Sequence, residues 1–218
     1  MTRYVAVLLL LTQVGVAQGV IKFNELLTFS HNQNGKARET SVYLDRKTST
    51  WLFTNDDSFG GTTEGVSFVV AYPNGTYLLC STDDSNANVC QRFRRTAALR
   101  HTKAVSGKPT GKRAQFGANK YGWPVLSGSA FQLQAGWMSL DTYLATVPFN
   151  CYPLYAYNTL PELEIGLPIF QSVDYTAILP RNQLVLSEAM PGGVRLKSLS
   201  PTEYAIDLSS YRIADAKR

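Results

Sequence analysis

Apolar and polar residues alternate with a period of two over much of the chain. Phe131, Leu133, Ala135 and Trp137 are interleaved with Gln132, Gln134 and Gly136, and Tyr143, Ala145, Val147 and Phe149 repeat the pattern. Successive side chains on a strand point to opposite faces, so this spacing predicts strands with one buried and one wet face. Ser41 to Asp45 and Thr48 to Thr54 read as a strand pair joined by Arg46-Lys47, with Val42, Leu44, Trp51 and Phe53 among its apolar members. Cys151 to Tyr157 reads as a further strand. Seven or more strands are expected before the C-terminal third.

Turn chemistry sharpens the pattern. Gly65 to Tyr72 and Thr76 to Cys80 flank Asn74-Gly75, the favoured pair for a two-residue hairpin turn. That turn sets Tyr72 against Tyr77 and Val70 against Leu79. Arg92 to Val105 is the main helix candidate, with Phe93, Ala97 and Leu99 as its apolar side. Ser106 to Pro124, rich in Gly and Lys, reads as a long loop. In the tail, Leu184 to Leu186 and Val194 to Leu196 alternate weakly around the turn signal Pro191-Gly192-Gly193.

The N-terminus carries an address. Arg3, the apolar run Val5 to Leu11 and the small residues Gly15-Val16-Ala17 predict a signal peptide over residues 1–17. A run of about ten apolar residues is too short for a bilayer, which takes roughly 20, and no later segment is long and apolar enough to span. The expected product is secreted and extracellular. In that setting the three cysteines, Cys80, Cys90 and Cys151, imply one disulfide and one odd thiol. Any of three pairings fits, and the odd thiol is either buried or links two chains into a homodimer. Asn74-Gly75-Thr76 is an N-glycosylation sequon at the expected hairpin tip.

Catalytic signatures are scarce. His31 and His101 are the two histidines and lie in polar or basic surroundings, and no Gly-x-Ser-x-Gly elbow occurs. Pairing Cys151 with His101 is formally open, but cysteines in an oxidising compartment are structural first. Zinc needs clustered Cys or His, which are missing. The expected cofactor is none, with calcium as the one candidate ion. Asp83 and Asp84, followed by Ser85 and Asn86, gather oxygen donors in one loop, and Asp56-Asp57 make a second acidic turn. Calcium wants six to eight oxygens, and a solvated acidic turn accounts for either.

Formal net charge is +5, too mild to select a partner alone. Its distribution is more telling. Arg92, Arg94, Arg95, Arg100, Lys103, Lys108, Lys112 and Arg113 follow one another with no acid between them. Such a segment attracts polyanions such as sulfated glycans, through Arg94, Arg95, Lys112 and Arg113 in particular, or is a solvated loop. Arg94-Arg95 and Lys112-Arg113 also read as dibasic processing sites. Nucleic acid is a poor partner for an extracellular chain without a recognised module.

The order of several short motifs resembles the ependymin-related secreted proteins. They are Tyr43-Leu44-Asp45-Arg46 before Trp51-Leu52-Phe53, Tyr77-Leu78-Leu79-Cys80, Gly136-Trp137-Met138, Tyr143 to Val147 leading into Cys151-Tyr152-Pro153, and Leu163 to Pro168. The likeness covers residues 40 to 170, and this chain has fewer cysteines than that family. The resemblance implies two stacked antiparallel sheets or a half-open β-barrel with a hydrophobic cleft, a glycoprotein that binds lipid-like ligands, and in some members calcium.

The expectation is thus an all-β protein with a minor helix. It comprises an ependymin-type domain over residues 18–180 and a C-terminal extension, 181–218, packed on it. The expected function is non-enzymatic binding of a hydrophobic or lipid-like ligand by Trp51, Phe53, Phe68, Val70, Tyr77, Phe131, Leu133 and Trp137. The alternative is a matrix or adhesive glycoprotein that dimerises and binds polyanions through residues 92–113. A hydrolase with an unrecognised site ranks third.

Overall fold

A computed structural model describes residues 19–33, 35–61, 65–83, 85–94, 104–117, 124–135, 138–156, 167–170 and 173–216. These residues form twelve strands. They are β1 (Val20–Gln33), β2 (Lys36–Asp45), β3 (Thr50–Thr54), β4 (Phe68–Ala71), β5 (Thr76–Thr82), β6 (Asn88–Arg94), β7 (Gly107–Phe116), β8 (Leu126–Ala135), β9 (Met138–Thr146), β10 (Gln183–Glu188), β11 (Arg195–Asp207) and β12 (Arg212–Asp215). Three short helices join them: α1 (Asn55–Phe59), α2 (Tyr152–Ala156) and α3 (Tyr175–Ile178). The all-β expectation holds. No helix among the described residues is long and apolar enough to cross a membrane.

All twelve strands belong to one open sheet, ordered β12-β6-β5-β4-β3-β2-β1-β11-β10-β9-β8-β7. Each neighbouring pair is antiparallel except β12 with β6, which is parallel. The sheet curls, so that strands far apart in this order share one apolar interior. Trp51 of β3 meets Phe149, just beyond β9, edge to face at 5.9 Å. Leu27, Phe29, Val42, Leu44, Trp51, Phe53, Val69 and Tyr77 lie in the same buried cluster as Phe116, Leu133, Leu144 and Leu186. The opposite, outer face of β1–β6 buries Phe23, Tyr43, Leu52, Phe68, Val70, Leu78 and the Cys80–Cys90 pair with Ile206 and Leu208.

Four expectations are corrected. The hairpin after β4 pairs Ala71 with Tyr77 and Val70 with Leu78, one residue away from the expected register. Pro73 explains the slip. A two-residue turn would make Pro73 a ladder residue needing an N–H, which proline lacks. The chain instead makes a three-residue loop, in which Gly75 N donates to Tyr72 O at 3.1 Å and Gly75 sits at φ 81. Second, Arg92 to Arg94 belong to β6, not to a helix, because Phe93 lies opposite Tyr77 and the disulfide fixes Cys90 against Cys80. Of the rest of the expected helix, residues 95–103 lie outside the described residues, and Ala104 and Val105 are not helical. Third, the expected loop contains β7, paired with β8 from Gly107 to Phe116. Its loop-like composition suits an edge: Pro109 and the bulged Gly111 (φ 78) are tolerated where one side of the strand has no neighbour. Fourth, Tyr152 to Ala156 form α2, not a strand, and all five are buried. A run apolar on every side gives no period to separate helix from strand.

Residues 183–215 contribute three strands to the sheet. β11 sits between β1 and β10 near the middle of the sheet, with Val20 opposite Asp207 and Leu27 opposite Leu199. After a 3-10 turn at Leu208–Ser210 the chain reaches β6, so this end closes the outer cluster, with Tyr211 edge-on to Phe68 at 5.4 Å.

Candidate functional site

The inner face is the surface on which a hydrophobic ligand was expected. Trp51, Phe53, Tyr77 and Leu133 do converge there, all at 0% exposure, and Phe131 packs against them half-buried. Phe68 and Val70 do not. They point to the outer face, because residues on β4 alternate and Val69 and Ala71 take the inner positions. Trp137 lies outside the described residues. The Trp51 indole donates to Asn150 O at 2.9 Å, fixing the ring at one end of the face.

Residues 147–156, 167–170 and 173–179 cover this face, and among them α2, α3 and residues 167–170 bring Leu154, Tyr155, Phe170 and Tyr175 into the inner cluster. Phe170 sits at the centre of an aromatic group, edge-on to Phe29 at 5.3 Å, to Tyr155 at 5.4 Å and to Tyr175 at 5.9 Å. Each helix is tied to β10 by one tyrosine hydroxyl. From α2, Tyr155 Oη accepts from Val185 N at 2.7 Å and donates to Gln183 O at 3.0 Å. This happens on the β10 margin towards β11, where those two strands pair only at Ser187 and Arg195. From α3, Tyr175 Oη donates to Glu188 Oε1 at 2.5 Å, while Val194 N donates to Oε2 at 3.1 Å.

Burial governs the chemistry of these groups. Glu188 is held above the usual carboxylate range because enclosure penalises its charge, and the two donors pull it only partly back. Burial likewise pushes the Tyr155 and Tyr175 hydroxyls up, with Cys151 adding to the first and Glu188 to the second. The Cys151 thiol is free, buried and held neutral by its enclosure; a buried thiol of raised pKa is a poor nucleophile. Beside the helices, Thr142 Oγ1 is enclosed and in reach of the Tyr175 hydroxyl. At the end of the face that carries Trp51, the half-buried Arg181 lies 5.8 Å above the Tyr152 ring. Its Nε is enclosed and lacks a partner.

The other expected sites are dispersed. Cys80 and Cys90 form the disulfide, across directly opposed residues of β5 and β6. Asn74 is exposed at the hairpin tip, where its Oδ1 accepts from Thr76 N at 3.0 Å. Asp83 Oδ1 accepts from Ser85 N, Ser85 Oγ and Ala87 N, which hold the carboxyl below its usual range and order the turn. Asp84 lies outside the described residues. Among those described, no group of three or more His, Cys, Asp or Glu is placed to hold a metal. Asp57 accepts from Tyr43 Oη at 2.7 Å and from Thr54 Oγ1, whose own oxygen caps α1. Arg94 is exposed on β6, and Lys112 and Arg113 are exposed on β7. These strands lie towards opposite ends of the sheet order, so a basic run continuous in sequence is divided between two strands. Arg95 and His101 lie outside the described residues.

Sequence reasoning missed Glu188, Tyr155, Tyr175, Thr142 and Arg181. One signal was present for Glu188: it lies two residues after the apolar run Leu184-Val185-Leu186 and three before the Pro191-Gly192-Gly193 turn. No local signal marks the tyrosines.

No family model matches this chain, and no curated protein matches it. Among solved structures PNGF-II is similar, at 12% identity and a TM-score of 0.48, over 89% of this chain and 31% of that one. The chain spans about a third of that neighbour's length.

Proposed function

We propose that this chain is a secreted, non-enzymatic binding protein for a hydrophobic or amphipathic ligand, taken up on the inner face of the curled sheet. The observation that carries the reading is the nature of the cover. The inner face is apolar along strands from both halves of the sheet, yet among the described residues that close it the helices have five and four residues. Helices this short have little stability of their own, so displacing them costs less than separating two sheets. A ligand that replaced them would bury apolar surface worth roughly 25 cal/mol per Å². The resemblance to the ependymin-related proteins implies the same class of ligand.

Arg181 fits the polar group that such a site needs at its mouth. Its enclosed Nε has no partner, and a guanidinium matches a carboxylate in geometry and charge. The ligand class that follows is an apolar chain with an acidic head. Native mass spectrometry of the purified protein, before and after organic extraction, tests the reading. Extractable mass in the lipid range supports it. A bare chain that also fails to bind a fluorescent fatty acid would overturn it.

A second reading rests on one observation. Lys108, Lys112 and Arg113 are exposed along the edge strand β7, and neither β7 nor β8 holds an acid. Basic side chains on an edge also deter unwanted strand pairing. An adhesive role through sulfated glycans requires retention on heparin that weakens with salt.

A further inference from the structure

Among the described residues Glu188 is the one acid in the fully buried class, at 6% exposure, and none of their cations bears on its ionisation. The groups around it come from four elements. Tyr175 of α3 and the backbone N–H of Val194 donate to its two oxygens. Tyr155 of α2 is close enough for its ionisation to respond to Glu188. Thr142 of β9 lies directly opposite Glu188 in the ladder. The flanking charges, Asp141 on β9 and Arg195 on β11, are exposed, and the Arg195 guanidinium lies 5.0 Å above the Phe116 ring.

Two proton arrangements fit this cluster. With Glu188 ionised, the Tyr175 hydroxyl donates to Oε1 and the carboxylate charge is buried; the Thr142 hydroxyl, in reach of Tyr175 Oη, donates to it. With one proton added from solvent, Glu188 Oε1–H donates to Tyr175 Oη, and the Tyr175 proton turns towards Thr142 Oγ1. Both arrangements keep the link between Tyr175 and Glu188, and the added proton removes the buried charge. Since Tyr175 belongs to α3 and Glu188 to β10, this link also ties the covering segment to the sheet.

We propose that Glu188 is a proton-operated clasp, holding α3 and its neighbours closed over the inner face when protonated and loosening them when ionised. Its chemistry stands on the cluster itself; its purpose, to gate a ligand, rests on the carrier reading above. The direction follows from linkage. Opening the segment returns the carboxyl to its ordinary value of 4.5, whereas enclosure holds it higher. Closure is therefore complete below that ordinary value. It weakens as pH rises towards the raised value, and then levels off, with each unit of separation worth about tenfold in the open–closed equilibrium.

Hydrogen exchange of the ligand-free full chain between pH 5 and 8, corrected for intrinsic rates, tests the clasp. In the wild type, protection of residues 173–179 is expected to fall by about tenfold or more, and in Glu188→Gln to stay level. An equal slope in Glu188→Gln, or no slope in the wild type, overturns the proposal. Should Glu188→Gln fail to fold, infrared spectra of the wild type decide. A protonated-carboxyl carbonyl band must be present at pH 5 and vanish on raising the pH, and its absence throughout overturns the clasp. No ligand enters either measurement, so their failure is distinct from failure of the carrier reading.

Discussion

The hydroxyl of Tyr155 bridges two backbone groups of β10, accepting the Val185 N–H at 2.7 Å while donating to Gln183 O. A side chain from α2 thereby completes the margin of β10 towards β11, with which it pairs only at Ser187 and Arg195. Removing that oxygen leaves a donor and an acceptor in an apolar interior, each worth about 1–3 kcal/mol. Tyr155→Phe is expected to lower unfolding stability by about 2–4 kcal/mol on that basis. Urea denaturation with an unchanged m-value would bear this out; a loss under 1 kcal/mol would mean that water replaces the hydroxyl.

The two faces of the sheet separate binding from stability. Trp51 lies on the inner face and Phe68 on the outer. Trp51→Phe, which also removes the bond to Asn150 O, is expected to weaken fluorescent fatty acid binding by about tenfold or more, equivalent to 1.4 kcal/mol. Phe68→Leu should destabilise the fold by about 1 kcal/mol and leave that affinity unchanged. Titrating both variants checks the assignment of faces, and matched loss in both would refute it.

Arg181 supplies a test of ligand class. Arg181→Gln is expected to reduce affinity for a fatty acid and leave that for the fatty alcohol of equal length unchanged, since only the former carries a charge for the guanidinium. Equal effects on both would remove Arg181 from the site.

Cys80 and Cys90 face each other on adjacent strands and close a short loop. Reduction, or replacement of both by alanine, is expected to cost about 2–4 kcal/mol. Guanidinium unfolding with and without reductant measures it. The buried Cys151 should stay unreactive to alkylating agents until the chain unfolds.

His31 gives a pH dependence opposite to that of Glu188. Burial and the nearby Arg38 lower its pKa, and its Nε2 lies 3.0 Å from Thr40 Oγ1. A folded pKa below the ordinary 6.5 means that the unfolded chain takes up the proton first. The stabilising contribution is therefore full above 6.5 and is lost as pH falls through the folded value. His31→Gln should flatten the decline in thermal midpoint between pH 7 and 5.

Much of the fold was legible because alternation is a local property. Val42, Leu44, Trp51 and Phe53 share the inner face as their spacing requires, while Gln132 and Gln134 are exposed. The errors arose where a single residue or a distant partner overrode the pattern. Pro73 moved a hairpin by one position. β7 looks like a loop because an edge strand needs no apolar face, and α2 looks like a strand because it is buried all round. The polar groups of the inner face were invisible for a further reason. Tyr155 meets residues 28 and 30 positions away, a relation that exists only once the sheet has formed.

The placement of β11 has a consequence for the order of events as the chain is made. β1, near the start, has β2 on one side and β11 on the other, so half of its ladder waits for residues beyond Arg195 to leave the ribosome. Until then the nascent chain presents two raw margins, on β1 and on β10, each able to recruit the wrong neighbour. Completion is a late insertion into the middle of the sheet. β11, made after both of its neighbours, acts as a keystone between them.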